Sequence, residues 1–466
     1  MRKLFSVIAA VMMSLTVLAA CNTRQPDPSE DIVGIRGYAV PQYDESLEIE
    51  IGAWESPGAK DYSQRAFDLI ADSGINILMP MYDFADFAFG GEAKTTQLAI
   101  LDRAYNASLK VLVSDSDLVD HQMYGAGLDK PSVFDNVRYY EEHPAFHGVY
   151  MVDEPTGARF PLVKEKYDIV KGRFPDKRAF IDIVPAYTPQ GMGYPTYEAL
   201  VRDYLQVTGD EWCQFQIYPL VVDKTLREDY YNNIEIVKRV SVEYGAKSSC
   251  CIMIQKATDG LYSARGGYAD PGVAGIRWQM AVLQAYGFHQ FIDYTYGTSD
   301  PAYEFVIDNK GNPTKVWTNL RAANREVREW DHVYMSFVDG WEGTAVIRGA
   351  NLVSGGEESW MLNMIKQSVK PGEIPGIKSV TSDESVLMGI FKDNKAAKNK
   401  GFMATNATNL WDGKTAKMTV QFDKEYKGVM VFEKGIPEIY DLDKNNNAVI
   451  TLEPGEGKFI MPLKKM

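Results

Sequence analysis

The run GVYMVDEP, residues 148–155, decides how this chain is to be read. Four apolar or aromatic residues, Val149 to Val152, lead straight into two adjacent carboxylates, Asp153 and Glu154, and then into Pro155. Pro155 has no N–H to give a sheet ladder, so it marks where the backbone turns away. Outward in both directions the pattern repeats: a short apolar run, a polar or aromatic residue at its end, a loop, then an amphipathic stretch. The earlier runs are EIEIGAWE (48–55), NILMPMYD (76–83) and KVLVSD (110–115). The later ones are RAFIDIVPAY (178–187), WCQFQIYP (212–219), SCCIMIQ (249–255) and HQFIDYTY (289–296).

Between them, SQRAFDLIADSG, TTQLAILDRAYNAS, LVKEKYDIVKGRF and IRWQMAVLQAYG carry helical spacing, and several end at glycine. Strands alternating with helices predict a parallel sheet, because each parallel neighbour needs a crossover. Eight such units in about 290 residues predict a closed (β/α)8 TIM barrel over residues 32–334. An open doubly wound sheet would show the same alternation, but no glycine-rich phosphate turn comes after the first run. Beyond about residue 335, segments such as ESVLMGIFKD, GFMATNAT and KMTVQFDKE alternate between turn residues. They predict an all-β antiparallel sandwich over residues 335–466.

The chain begins MRKLFSVIAAVMMSLTVLAAC, with two basic residues, an apolar run, small residues and Cys21. This is the pattern of a lipoprotein signal peptide, residues 1–20, with Cys21 as the lipidated residue and residues 21–31 as a polar tether. The expected location is the bacterial cell envelope, with contact to the membrane only through that N-terminal lipid. The formal net charge of −14 disfavours phosphate backbones and anionic headgroups, so nucleic acid is not an expected partner. Cys213, Cys250 and Cys251 are too few and too apolar in setting for a disulfide framework, and read as buried thiols.

In such a barrel the functional groups sit at the C-terminal ends of the strands. Those ends supply Trp54, Glu55, Tyr82, Asp83, Asp115, Asp153, Glu154, Tyr187, Tyr218, Gln255, Asp293, Tyr294 and Tyr296. The mouth is therefore expected to be acidic and aromatic. Carboxylates serve as acid, base or nucleophile, and flat rings stack on the apolar faces of pyranoses, so a neutral carbohydrate is the expected substrate.

Other chemistries find little support. Five histidines without an HExxH arrangement give no zinc site, no GxSxG elbow is present, and no metal or cofactor is called for. The stretch DLDKNNNAVITLE (441–453) approaches a calcium loop. It departs from one at Asn446, where the turn glycine belongs, and at Glu453, one residue late, so it reads as a hairpin turn.

GVYMVDEP, the seventh run ending in Gln255, HQFIDYTYG and the subsequent GNPTKVWTNLRAANREVREW together resemble barrel lipoproteins of gut Bacteroidetes described as glycoside hydrolases. These are distantly similar to the clan A glycosidases, including the family 42 β-galactosidases. The closing LEPGEGKFIMPL is similar to the last strands of the sandwich domains that come after many such barrels. The resemblance implies action on plant or host glycans, with Glu154 as the acid/base at the end of strand four. It also implies a nucleophilic glutamate at the end of strand seven, where this chain has Gln255, an amide that cannot attack as a carboxylate does. Asp293, on the eighth strand, is the leading second carboxylate, and Asp153 is expected to turn inward, to hydrogen-bond neighbouring strands or to orient Glu154, with direct catalysis as its other candidate role. The alternative is a carbohydrate-binding barrel without catalysis.

Overall fold

The computed structural model describes residues 32–41, 43–57, 62–80, 93–119, 123–186, 190–258, 266–298, 300–395, 398–433 and 436–466. The expected signal peptide and tether, with Cys21, lie outside the described residues, as do Tyr82, Asp83 and Tyr187.

A hairpin comes first, β1 (Ile32–Ile35) and β2 (Tyr38–Pro41). The barrel comes next with β3 (Glu50–Trp54), β4 (Ile77–Met79), β5 (Lys110–Val113), β6 (Phe146–Asp153), β7 (Arg178–Ile183), β8 (Trp212–Gln216), β9 (Lys247–Met253) and β10 (Gln290–Tyr294). These eight close into a ring in chain order, β10 pairing with both β9 and β3, and every pair is parallel. Each expected run thus carries one barrel strand. Among the described residues, long helices fill six of the seven crossovers, and another, Lys315–Arg328, comes after β10. The third crossover holds the single α-helical turn Val137–Tyr140, fewer helical residues than the repeat predicts. The helices Tyr197–Thr208 and Tyr230–Tyr244 stop at Gly209 (φ 65°) and Gly245 (φ 71°), where the left-handed backbone is free of a Cβ clash.

Alternation along the strands sorts side chains between the barrel's interior and its helix layer. Ile77, Met79, Leu112, Tyr150, Phe180, Cys251, Met253 and Ile292 share the interior cluster with Trp54. Their neighbours Ile51, Leu78, Val111, Val149, Ile181, Phe215, Cys250 and Phe291 pack with the helices instead. Two glycines make room inside. A Cβ on Gly52 would stand 2.5 Å from Ile292 Cδ1, and one on Gly148 would stand 2.1 Å from the Arg178 carbonyl oxygen.

The C-terminal sandwich consists of β11 (Trp341–Ile347), β12 (Ile377–Ser382), β13 (Val386–Lys392), β14 (Lys400–Asn406), β15 (Ala416–Phe422), β16 (Gly428–Glu433), β17 (Ile436–Asp441), β18 (Asn447–Leu452) and β19 (Gly457–Lys465). One sheet runs β1-β2-β19-β14-β13-β11, with β16 and β17 added alongside β19, and the other runs β12-β15-β18. Val386, Met388, Ile390, Phe402, Met418, Val420 and Ile460 fill the space between them. The outer face of the larger sheet lies on the barrel helix Gly272–Ala285. There Trp341 Nε1 and Thr344 Oγ1 both donate to the Ala285 carbonyl, at 3.1 and 2.9 Å.

Two expectations change here. The barrel does not begin at residue 32: β1 and β2 belong to the sandwich, with Lys464 and Lys465 of β19 paired to Ala39 and Tyr38. The turn after Asp441 is not a hairpin, because β17 pairs with β16 in one sheet and β18 with β15 in the other. Asp443 holds that turn by accepting the N–H groups of Asn445 and Asn447, each at 2.8 Å. The three cysteines beyond Cys21 are free and buried.

Candidate active site

The site is built around an irregularity in β6. Tyr150 pairs with Phe180 of β7, but the next partner of Ile181 is Val152, so one extra residue is accommodated between them. A bulge of this kind shifts the inward-facing set by one position and re-aims the side chains beyond it. Asp153 therefore comes into register with Asp182, on the same interior face as Tyr150 and Phe180. The chain then turns sharply at Glu154, whose φ of 47° lies in the left-handed region, and the Glu154 N–H donates to the Asp182 carbonyl at 2.8 Å. A non-glycine residue held there costs on the order of 1–3 kcal/mol, a conformation that clusters at functional sites.

From this turn the Glu154 side chain reaches across β7 to β8, where Gln216 Nε2 donates to its Oε1 at 2.5 Å. Tyr218 in turn donates its hydroxyl to Gln216 Oε1 at 2.7 Å. Burial raises the Glu154 pKa above the ordinary carboxyl value, and the Gln216 bond partly offsets it. Below it lie the two aspartates. Gln214 Nε2 donates to Asp182 Oδ1 at 3.1 Å, while Asp182 Oδ2 and Asp153 Oδ1 have no hydrogen-bond partner among the described residues. Burial and the neighbouring Glu154 charge push Asp153 up to about 7. Burial and the Asp153 charge raise Asp182 as well. Two carboxyls in register on adjacent strands cannot both ionise at small cost, so the pair favours sharing a proton.

Aromatic rings pack at the same end of the barrel. Trp54 meets Tyr150 edge-on at 5.7 Å and Tyr294 at 6.0 Å, and Tyr294 stacks on Tyr218 at 5.0 Å. Tyr268 closes on Tyr218 at 5.5 Å. Glu55, just past β3, also has a left-handed backbone, with φ 56°. Ser56 fixes that turn by accepting the Met79 N–H and donating to the Ala53 carbonyl. Thr295 Oγ1 donates to Glu55 Oε2 at 3.2 Å, and burial, the larger effect, raises the Glu55 pKa. Burial and Tyr303 raise the Tyr294 hydroxyl most, and the charges of Glu55 and Asp153 add to it.

Several expected residues lie elsewhere. Asp293 faces the helix layer, because Ile292 and Tyr294 take the inward positions of β10. Its Oδ2 accepts from Asn324 of the helix Lys315–Arg328 at 3.0 Å, and it is fully buried. Tyr296 packs in the barrel–helix cluster and not among the mouth aromatics. Asp115 is occupied by its own loop, accepting from Tyr140 at 2.8 Å, the Asp117 N–H at 3.1 Å and Asn136 at 3.4 Å. Gln255 does stand at the end of the seventh barrel strand, but it is fully buried, with Nε2 given to the Thr295 carbonyl at 2.8 Å. It is part of the wall rather than an exposed hydroxyl-binding group. The structure brings together Glu154, Asp153, Glu55, Trp54, Tyr218 and Tyr294, and adds Asp182, Gln216, Tyr150 and Tyr268. The alternation of WCQFQIYP, with Cys213 and Phe215 on one face, could have pointed to Gln216.

Among the described residues no group of three or more His, Cys, Asp and Glu could hold a metal ion. No helix of the described residues is long and apolar enough to cross a membrane.

No family model and no curated protein matches the chain. Solved structures it resembles include several named as glycosidases. One is the β-galactosidase of Bacillus circulans sp. alkalophilus, 9% identical, covering 90% of this chain and 100% of that one, with a TM-score of 0.49. Another is the β-galactosidase of the psychrophilic Marinomonas ef1, 10% identical over 70% of this chain and 67% of that one, at 0.45. A third is the α-L-arabinofuranosidase of Thermotoga maritima, 10% identical over 93% and 94%, at 0.42.

Proposed function

We propose that this protein is a glycoside hydrolase of the cell envelope that cleaves plant or host glycans without a metal, with Glu154 as the proton donor. One observation carries the reading: a buried carboxyl with a raised pKa, held by a single amide N–H, stands over a carboxyl pair in an aromatic-lined barrel mouth. Burial favours the protonated form of such a carboxyl, which can pass its proton to the glycosidic oxygen as the bond breaks.

The second carboxylate in this proposal is Glu55. Asp293 is turned to Asn324, Asp115 is bound by its loop, and Asp182 is fully buried. Glu55 remains at the mouth, three strands around the ring from Glu154. With Gln255 in the strand-seven position, Glu55 acts as the base that activates a water, and the product anomer is inverted. Screening turnover on a panel of oligosaccharides and aryl glycosides, with the product anomer tracked by proton NMR, tests this. Glu154→Gln and Glu55→Gln are expected each to lose at least 100-fold in kcat/KM, and a retained anomer would remove Glu55 from its role.

The second reading is a barrel that binds glycans and does not cleave them. The buried amide of Gln255 in place of a nucleophile favours it. Saturable binding by calorimetry with no product from any ligand that binds would decide for it. The envelope location rests on the lipoprotein pattern around Cys21. Cys21→Ala should abolish metabolic labelling with palmitate and release the protein from the membrane fraction.

A further inference from the structure

Resting on the proton-donor reading, a short chain of hydrogen bonds beside Glu154 assigns roles to two residues outside the reacting pair. The Gln216 amide has one acceptor and one donor end. Tyr218 lies 2.7 Å from Oε1 and Glu154 lies 2.5 Å from Nε2. An amide oxygen only accepts, so Tyr218 must donate to it, and the NH2 end is left facing Glu154. The Tyr218 ring is itself fixed, stacked on Tyr294 at 27° and set edge-on to Tyr268 at 82°. The relay therefore runs one way, from hydroxyl to amide to carboxyl.

We propose that Gln216, oriented by Tyr218, is a positioning residue for Glu154: it holds Oε1 as an acceptor and leaves the transferable proton on Oε2. Among the described residues Oε2 has no hydrogen bond. Donation to Oε1 also favours the charged carboxylate, against the burial that favours the acid. Gln216 thus keeps Glu154 from holding its proton too tightly to give it up. Tyr218 prevents the amide from turning its oxygen toward Glu154, where it would repel the carboxylate.

The test is a carbon-13 NMR titration of the glutamate carboxyls in the free protein, with the Glu154 signal assigned by its loss in Glu154→Gln. Gln216→Met is expected to raise the Glu154 midpoint by about one pH unit. Tyr218→Phe, which keeps the stacked ring, is expected to raise it by a smaller amount. Unchanged midpoints in both variants, with melting temperatures intact, would overturn the proposal. A shift in Gln216→Met alone would remove Tyr218 from it. Should Gln216→Met fail to fold, Tyr218→Phe carries the test by itself. In turnover, the basic limb of the kcat/KM profile should move to higher pH with the NMR midpoint. An NMR shift without that movement would leave the relay standing and count against Glu154 as proton donor.

Discussion

Asp153 and Asp182 stand in register on adjacent barrel strands, both facing inward, and the β6 bulge is what brings them there. Without the extra residue between Tyr150 and Val152, strict alternation would send Asp153 out among the helices and Glu154 inward. The bulge places the aspartate below and leaves the glutamate at the turn. From there it reaches Gln216 at the edge of the mouth.

This buried pair gives stability a dependence on pH with a definite sign. Both carboxyls bind protons more tightly in the folded protein than in the unfolded chain, Asp153 titrating near 7. The contribution of Asp153 is whole below about pH 4 and is lost as the pH rises through about 7, and Asp182, raised in the same direction, acts with the same sign. Asp182→Asn should therefore gain stability over the parent as pH increases from 6 to 8.5, by on the order of 1 kcal/mol or more. Urea unfolding of both proteins at the two values checks this. A difference constant with pH would show that the pair shares no proton.

The glycines inside the barrel should differ in their tolerance. Gly52→Ala meets the far end of Ile292, which can rotate, whereas Gly148→Ala meets the Arg178 backbone. Gly148→Ala is expected to cost roughly 2–3 kcal/mol and Gly52→Ala about 1 kcal/mol. Denaturant midpoints should rank them in that order, and equal costs would contradict the packing described for β6 and β7.

Restoring a carboxylate at the end of strand seven should not restore a nucleophile. In Gln255→Glu, an oxygen would replace the N–H that the Thr295 carbonyl accepts, in a fully buried setting. The expected outcome is a loss of about 2–4 kcal/mol at pH 7 with no gain in turnover. Thermal melts and product assays on the same preparation measure both. A stable, more active variant would reopen the retaining mechanism.

The eight barrel strands were legible because each is a short apolar run that stops at a polar or aromatic residue before a helical stretch. The bulge was not, because Tyr150, Met151 and Val152 are all compatible with either face, and nothing in their order marks the extra residue. Asp293 misleads for a related reason: a place at a strand end does not give the side chain's direction. Phe291, two residues earlier on the same face, packs against the helices and shows where that face points. The first hairpin pairs with the last strand of the chain, and local pattern carries no information about a pairing that distant. The turn at Asp443 misled in the same way, since a tight turn between two strands does not reveal whether they share a sheet.

The central claim is that Glu154 gives a proton to the departing oxygen, and the dependence on leaving group tests it most directly. On any glycoside series the parent protein cleaves, Glu154→Gln should lose at least 100-fold in kcat/KM for alkyl or sugar leaving groups. It should lose far less for dinitrophenyl, which departs without protonation. An equal loss across the series, or full activity of Glu154→Gln on an oligosaccharide, would contradict the account.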